Sequence, residues 1–270
     1  MSIYDFTPRR AAVRPSPLFL TVLAVTAVGA VVAWVESDTG SRLGDFGVFL
    51  FVLGGWVTSV CLHEFAHALV AYRAGDRSVE SRGYLTLNPF KYTHPVLSIL
   101  LPLVAIVGGG FALPGGAVYL HPHAFRSKAA RSWAAAAGPL TNVLFAVVLV
   151  VVARGHGSFV DPWSDHGRFW GAVGFLGLLQ VSAAVLNLLP VPGLDGYGII
   201  EPYLDPETVR LGEKIKPWGL LGVIVLLFYV QPLKNAFFNL VDAIYRGLGG
   251  TDLIHAIGYS AFRFWVKNPF

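Results

Sequence analysis

Two histidines and a glutamate lie within one turn of each other in an apolar stretch of the chain, in the order His63-Glu64-Phe65-Ala66-His67. On a helix, His63 and His67 share one face because four residues complete slightly more than one turn. Two imidazoles so placed can bind one Zn²⁺ at about 2.0–2.1 Å and leave room for a water molecule. Glu64 projects beside that face, where it can take a proton from the water. The spacing predicts a catalytic zinc site with His63 and His67 as ligands and Glu64 as the general base.

The alternative interpretation of this motif is a set of ordinary polar residues on a helix. That alternative would have real weight in a soluble helix, but here three ionisable groups lie within five residues of an apolar run. An ionisable side chain inside a membrane is costly unless it is paired or binds a metal. The setting therefore favours a metal site.

A catalytic zinc site of this kind needs a third protein ligand, usually His, Asp or Glu. Asp195 is a candidate, since it follows an apolar run and a segment that contains Pro190 and Pro192. The prolines break the helix and free backbone groups that only a protein or water-filled interior can satisfy. Gly196 lets the chain turn tightly beside the carboxylate. A solvated aspartate in a loop that ends a helix is the alternative, and the residues alone leave both open.

Asn142 is the candidate for a further polar contact at the site. It ends the segment Ala137-Gly138-Pro139-Leu140-Thr141-Asn142, whose small residues permit close helix packing. An amide at this position can hydrogen-bond a developing oxyanion or the backbone of a substrate. The alternative is a packing motif in which the asparagine is incidental.

The elements that must position these residues are membrane helices. Only 13% of the 270 residues are charged and the mean hydropathy is +0.60, whereas soluble domains carry about 25% charged residues. Spanning helices need about 20 apolar residues, and such runs lie at 17–35, 46–72, 131–153, 169–190 and 217–231. The last run is short, and its continuation past Pro232 stays open. The pattern predicts an all-α polytopic membrane protein with five to six transmembrane helices in a lipid bilayer.

Two segments do not fit a simple series of spanning helices. Residues 95–113 are apolar, but Pro102 and a run of glycines interrupt them, which indicates a re-entrant hairpin. Residues 83–87 alternate between apolar and polar types and precede a turn signal at Asn88-Pro89. We expect a short β segment there, at the membrane edge, where it could pair with an extended substrate.

Basic residues predict the orientation in the membrane and exclude one class of partner. The 20 Lys and Arg are scattered between apolar runs, so the net charge of +4 does not indicate nucleic-acid binding. Arg9, Arg10 and Arg14 precede a first run that is too long for a signal peptide. The sequence thus predicts a cytoplasmic amino terminus. Cys61 is the single cysteine, which excludes an intramolecular disulfide framework and a cysteine-rich metal cluster.

Depth in the membrane links the candidate residues to the topology. His63 and His67 fall in the inner half of the second run if that run travels inward. Asn142 and Asp195 reach the same depth only if 131–153 begins on the inner side. That condition requires residues 95–113 to re-enter the membrane without crossing it. We therefore expect the site nearer the cytoplasmic face.

The three motifs, in this order, resemble those of the site-2 protease family of intramembrane zinc metalloproteases. The resemblance spans Val57 to about Glu201 and indicates a minimal form without a PDZ or CBS domain. It implies that His63, His67 and Asp195 hold one Zn²⁺ per chain, that Glu64 is the catalytic base and that Asn142 assists substrate or oxyanion binding. The implied activity is peptide hydrolysis within or near transmembrane segments of membrane proteins, in regulated proteolysis at a prokaryotic cell membrane.

A membrane zinc transporter or metal-binding protein is the rival function, since it too would place His and Asp inside the membrane. Transporters usually show internal repeats, and the sequence shows none. We expect a single membrane-embedded peptidase domain over residues 1–270, with a catalytic core at about 46–201. A carboxy-terminal helix and an interfacial tail would follow at about 217–270. The oligomeric state and the substrate stay open.

Overall fold

The structure is a computed structural model that describes residues 13–36, 41–92, 121–157 and 166–266. In these residues the regular elements are helices, joined by turns and loops. In chain order the helices are α1 (Pro17–Val35), α2 (Arg42–Ala74), α3 (Ser78–Ser81), α4 (Lys128–Gly157), α5 (Gly167–Asn187), α6 (Asp195–Ile200), α7 (Pro206–Tyr229), α8 (Gln231–Gly247) and α9 (Asp252–Phe262). Short 3₁₀ turns lie at Tyr84–Thr86, Pro89–Lys91, Pro122–Ala124 and Glu201–Tyr203. The predicted all-α class is confirmed for these residues.

Four of the described helices, α1, α2, α4 and α5, are long and apolar enough to cross a membrane. A fifth span results if α7 and α8 count as one, although they meet at a bend of 98°. Pro232 explains the bend, because it has no amide hydrogen to donate to the carbonyl of Phe228 and so ends α7. The described residues thus account for four to five spans, and residues 95–113 lie outside them.

The prediction of a β segment at 83–87 is wrong, because Tyr84–Thr86 form a 3₁₀ turn instead. Gly83 has a φ of 77° and Leu87 a φ of 57°, so the residues on both sides of the turn are left-handed and not extended. The Thr86 hydroxyl donates to the Gly83 carbonyl at 2.6 Å, a local bond that competes with strand pairing. The alternation over five residues was too short to separate a strand from this turn.

Two carbonyls of this turn already accept hydrogen bonds from the segment that precedes α1. The Arg14 amide donates to the Leu85 carbonyl at 3.3 Å, and the Ser16 amide donates to the Thr86 carbonyl at 2.8 Å. These bonds hold the start of α1 beside the end of α2. They also remove the basis for pairing a substrate strand with residues 83–87.

Helix α5 forms the centre of the bundle, and most of its side chains are buried in the protein. It packs against α2, α4 and α9. The crossing with α9 is close, since a Cβ on Gly171 would lie 2.8 Å from the Gly258 amide nitrogen. Glycines permit this approach, as is typical of packed membrane helices. Because α5 is fixed on several sides, it is a rigid support for the segment that follows it.

The end of α2, the start of α4 and the end of α5 meet at one end of the bundle. A Cβ on Gly75 would lie 2.8 Å from the carbonyl oxygen of Ala124, which places the two chain segments in contact. Asn187, the last residue of α5, leads within eight residues to Asp195. The helix ends that precede or carry the candidate residues therefore lie at the same end of the bundle, whereas their depth in a membrane stays a prediction.

Candidate metal centre

The two histidines of the motif are buried on α2, with His63 5% and His67 6% exposed. Their Nε2 atoms lie 3.1 Å apart and their rings are nearly perpendicular, at 77°. Helical spacing alone explains the shared face. The perpendicular rings bring both Nε2 atoms to one point.

Asp195 brings its carboxylate to the same point. Its Oδ2 lies 3.2 Å from His63 Nε2, and its Oδ1 lies 3.3 Å from His67 Nε2. The side chain is 25% exposed, whereas the histidine side chains are 6% and 7% exposed. Asp195 is therefore the least enclosed of the three side chains. The sequence left Asp195 between a ligand and a solvated loop residue, and the geometry favours the ligand.

The loop from α5 to α6 positions Asp195 through two glycines. Gly193 has a φ of +102°, a left-handed conformation that a glycine adopts without strain. At Gly196 an added Cβ would lie 2.5 Å from the Leu189 carbonyl oxygen, so only a glycine fits this turn. Asp195 is the first residue of α6, and a negatively charged side chain is stabilised at the amino terminus of a helix.

The donor atoms fit a zinc ion. A tetrahedral Zn²⁺ with bonds of about 2.0–2.2 Å holds its ligand atoms about 3.3–3.6 Å apart. The spacings here are 3.1, 3.2 and 3.3 Å, at or just below the lower end of that range. Among the described residues, one group of three or more His, Cys, Asp or Glu side chains could hold a metal ion, and it consists of His63, His67 and Asp195. A donor set of two imidazoles and one carboxylate is typical of catalytic zinc.

The second nitrogen of each imidazole also supports this interpretation. His67 Nδ1 lies 2.6 Å from the carbonyl oxygen of Ala134, which can only accept, so Nδ1 carries the proton. His63 Nδ1 lies 2.5 Å from Asn142 Oδ1, another acceptor. Both Nε2 atoms then present lone pairs to the point that Asp195 also faces. Metal-binding histidines almost always donate their other N–H to such an acceptor.

Gly138 on α4 leaves the space in front of these nitrogens open. A Cβ at this position would lie 2.5 Å from His63 Nε2 and closer still to His67 Nε2. The sequence predicted close packing at Gly138, but not that the residue faces the metal. Its position inside an A-G-P segment of a membrane helix was the available signal.

Glu64 lies between the two histidines and is 2% exposed. Its carboxylate is near enough to interact electrostatically with His67. A carboxylate at this depth is costly in a membrane helix unless polar or charged groups compensate it. Its burial beside the histidines agrees with the position expected for a general base.

Asn142 has a different set of contacts from the one that the sequence suggested. Its Oδ1 accepts from His63, and its Nδ2 donates to Gln180 Oε1 at 2.8 Å. Gln180, on α5, in turn donates to Ser59 Oγ at 2.9 Å. The sequence interpretation missed Gln180 and Ser59, although a glutamine in the middle of the run 169–190 is itself a signal. The role of Asn142 in substrate or oxyanion binding stays a prediction.

Helix α6, which carries Asp195, and the 3₁₀ turn that follows it are held against α4 by two polar contacts. Arg131 forms an ion pair with Glu201, whose side chain is 7% exposed. The Ser132 hydroxyl donates to the Ile199 carbonyl at 2.7 Å. Both contacts lie within seven residues of Asp195. They fix the carboxylate relative to the helix that carries Asn142.

Asp76, just beyond the end of α2, holds the chain segment that precedes α4. It is buried and accepts hydrogen bonds from the Ser78 amide at 3.0 Å and from the His121 amide at 2.9 Å. Burial alone would raise the pKa of Asp76, but the hydrogen bonds from Ser78 and His121 outweigh it and hold the pKa below its usual range. The ionised carboxylate thus connects the end of α2 to the segment that precedes α4.

Comparison with known proteins gives consistent matches. Residues 48–158 match the model of peptidase family M50. The chain is 50% identical over 261 residues to a Mycolicibacterium smegmatis protein named "Putative zinc metalloprotease Rip2", covering 97% of this chain and 98% of the relative. A Mycobacterium tuberculosis protein of the same name is 44% identical, covering 96% of this chain and 97% of the relative.

A more distant relative gives the same class. The Bacillus subtilis protein named "Putative zinc metalloprotease YwhC" is 30% identical over 188 residues, which cover 66% of this chain and 80% of the relative. No solved structure matches this one significantly.

Proposed function

Because this chain belongs to peptidase family M50, the metalloprotease family of the site-2 proteases, we propose that it hydrolyses peptide bonds within or next to transmembrane segments of membrane proteins. The observation that carries the proposal is the position of the three donor groups. His63 and His67 lie on a buried face of a candidate membrane span, and Asp195 closes the set from a loop that follows another span. A peptide bond can reach this point only near the membrane.

We assign His63, His67 and Asp195 as the zinc ligands and Glu64 as the general base. When bound, zinc polarises the scissile carbonyl and lowers the pKa of a water molecule toward neutrality. Glu64 accepts one proton from this water as the new C–O bond forms at the scissile carbon. It returns the proton to the leaving nitrogen as the C–N bond breaks. The products are a carboxylic acid and an amine.

The two histidines contribute orientation as well as ligation. Their protons on Nδ1 are fixed by Asn142 and by the Ala134 carbonyl, so their lone pairs on Nε2 point to the centre without rearrangement. Such preorganisation lowers the cost of positioning the reacting groups. The exposed side of Asp195 leaves a direction from which substrate can approach.

The distribution of basic residues supports a cytoplasmic location of the site. The described segments that join α2 to α4, at the site end of the bundle, contain the basic residues Arg77, Arg82, Lys91, Arg126 and Lys128. At the opposite end lie Arg42, Arg154, Arg168, Arg246 and Arg263, whereas the start of α7 adds Arg210, Lys214 and Lys216 to the site end. The positive-inside rule places the richer side in the cytoplasm. Arg14 also lies at the site end, which agrees with a cytoplasmic amino terminus.

The experiment that separates the proposed protease from the rival transporter uses purified protein in proteoliposomes. One arm measures cleavage of a model transmembrane peptide, and the other measures the uptake of zinc ions into the same vesicles. We expect cleavage that a chelator abolishes and added zinc restores, and no uptake above empty vesicles. Uptake without cleavage would assign the metal site to transport. Cleavage fragments identified by mass spectrometry would then locate the cut relative to the membrane segment.

A further inference from the structure

A chain of buried polar side chains leads from the metal site into the centre of the bundle. It begins at His63, passes through Asn142 on α4 and Gln180 on α5, and returns to α2 at Ser59. Gln180 is 0% exposed and Ser59 is 4% exposed. An amide in the middle of a membrane helix is costly unless all its polar atoms are hydrogen bonded. Here both polar atoms of Gln180 have partners.

The hydrogen bonds of this chain run in one direction. The Ser59 hydroxyl donates its single proton to the Trp56 carbonyl at 2.8 Å. The Ser59 oxygen must therefore accept from Gln180 Nε2, which leaves Gln180 Oε1 to accept from Asn142 Nδ2. Asn142 Oδ1 is then turned to His63 Nδ1, and the proton of His63 lies on Nδ1.

The opposite arrangement would be unsuitable for metal binding. If the Asn142 amide were reversed, its NH₂ group would donate to His63 Nδ1 and the ring proton would move to Nε2. That nitrogen is the one that faces His67 and Asp195. An Nε2–H cannot ligate a metal, since ligation requires the lone pair. Asn142 has little intrinsic preference between its two ends, so the partner on its far side decides.

We propose that Gln180 is a positioning residue of the metal site, which fixes the orientation of the Asn142 amide and thereby the Nε2 lone pair of His63. It acts through Asn142 and does not touch the metal or the substrate. This inference rests on the proposed ligation of zinc by His63. Ser59 sets the direction of the chain from the other end.

The test is zinc affinity, measured by competition with a chelator on purified full-length variants. Gln180→Met removes both hydrogen bonds at similar volume and is expected to weaken zinc binding about 10- to 100-fold, as is typical for groups that orient a ligand. Adding Asn142→Asp to that variant is expected to restore most of the affinity. A carboxylate has no donor end to reverse, so it accepts from His63 Nδ1 without help from Gln180. A role of Gln180 in packing alone would not be rescued by this change.

Ser59→Ala is a second variant that disturbs the fold less, and it is expected to weaken zinc binding in the same direction and to be rescued by Asn142→Asp. Ser182→Ala is the matched control, because Ser182 is a buried serine on α5 whose hydroxyl donates to the Leu178 carbonyl of its own helix. It is expected to bind zinc as wild type does. Wild-type zinc affinity in Gln180→Met, or failure of Asn142→Asp to restore it, would overturn the inference.

His63→Ala separates this inference from the proposed function. If His63→Ala keeps wild-type zinc affinity, the ligand assignment itself fails. If His63→Ala loses zinc while Gln180→Met and Ser59→Ala bind it normally, the ligand assignment stands and the positioning role of Gln180 fails.

Discussion

His67 Nδ1 donates to the carbonyl oxygen of Ala134 across a distance of 2.6 Å, which joins the metal-binding helix α2 to the backbone of α4. Gly138 lies one turn further along α4 and faces the Nε2 atoms of both histidines. Helix α4 thus fixes the proton of His67 on Nδ1 and borders the space between the ligand atoms. Close approach of the two helices is a condition for both.

Gly138→Ala is expected to abolish zinc binding or to weaken it strongly. The added methyl group would lie 2.5 Å from His63 Nε2, in the space that the ligand atoms share. Gly155→Ala on the same helix is the control, since a Cβ there meets nothing within 4 Å. Zinc content of the purified proteins by mass spectrometry is the measurement. Equal zinc content in the two variants would contradict the placement of Gly138.

Arg131→Met is expected to lower the free energy of unfolding by about 1–3 kcal/mol, because it leaves the buried carboxylate of Glu201 without its charged partner. Cleavage activity should fall as well, since Glu201 lies at the end of the segment that carries Asp195. Unfolding in detergent is followed by circular dichroism. In the control Lys216→Met, which breaks an exposed pair with Glu213, the change should stay below about 0.5 kcal/mol. Equal effects of the two substitutions would count against the ion pair as a support of the site.

The low pKa of Asp76 predicts a pH-dependent contribution to stability. Folding favours the ionised form, so the stabilisation is fully present above the pKa of an unfolded aspartate, about 3.9, and is lost as the pH falls through the lower folded-state pKa. Asp76→Asn should therefore be less stable than wild type at pH 7, and the difference should shrink below about pH 4. Thermal unfolding across this range is the measurement. A difference that does not change with pH would show that the charge of Asp76 is irrelevant.

The orientation in the membrane is tested with cysteines at the two ends of α4. Cys61 is fully buried, so an introduced cysteine is the one that an impermeant thiol reagent should reach. Arg126→Cys is expected to react only from the cytoplasmic side and Arg154→Cys only from the opposite side. Labelling in intact cells and in inverted vesicles distinguishes the two. Arg126→Cys labelled only from outside would place the site on the other face.

The histidine pair shows what sequence patterns predict well. His63 and His67 are one turn apart, and local helix geometry is sufficient to bring them together. Asp195 and Asn142 are far away in sequence, and the sequence assigned them through motifs and a depth argument. Residues 95–113, which that argument treats as a hairpin, lie outside the described residues.

The contacts that complete the site could not be read from spacing. The carbonyl of Ala134 is a backbone group, which no residue type identifies. Gln180 and Ser59 lie on different helices, and their mutual contact depends on how α2 and α5 cross. The prediction of a β segment at residues 83–87 failed for a different reason, since Gly83 and the Thr86 hydroxyl determine the local conformation.

The most direct test of the proposed mechanism is Glu64→Gln in proteoliposomes that contain a transmembrane peptide substrate. The amide keeps the size of the side chain but cannot accept the proton of the attacking water. We predict that this variant binds one zinc ion per chain and does not cleave the peptide. Glu80→Gln, an exposed residue on α3, should cleave it as wild type does. Cleavage by Glu64→Gln at the wild-type rate would contradict the assignment of Glu64 as the base.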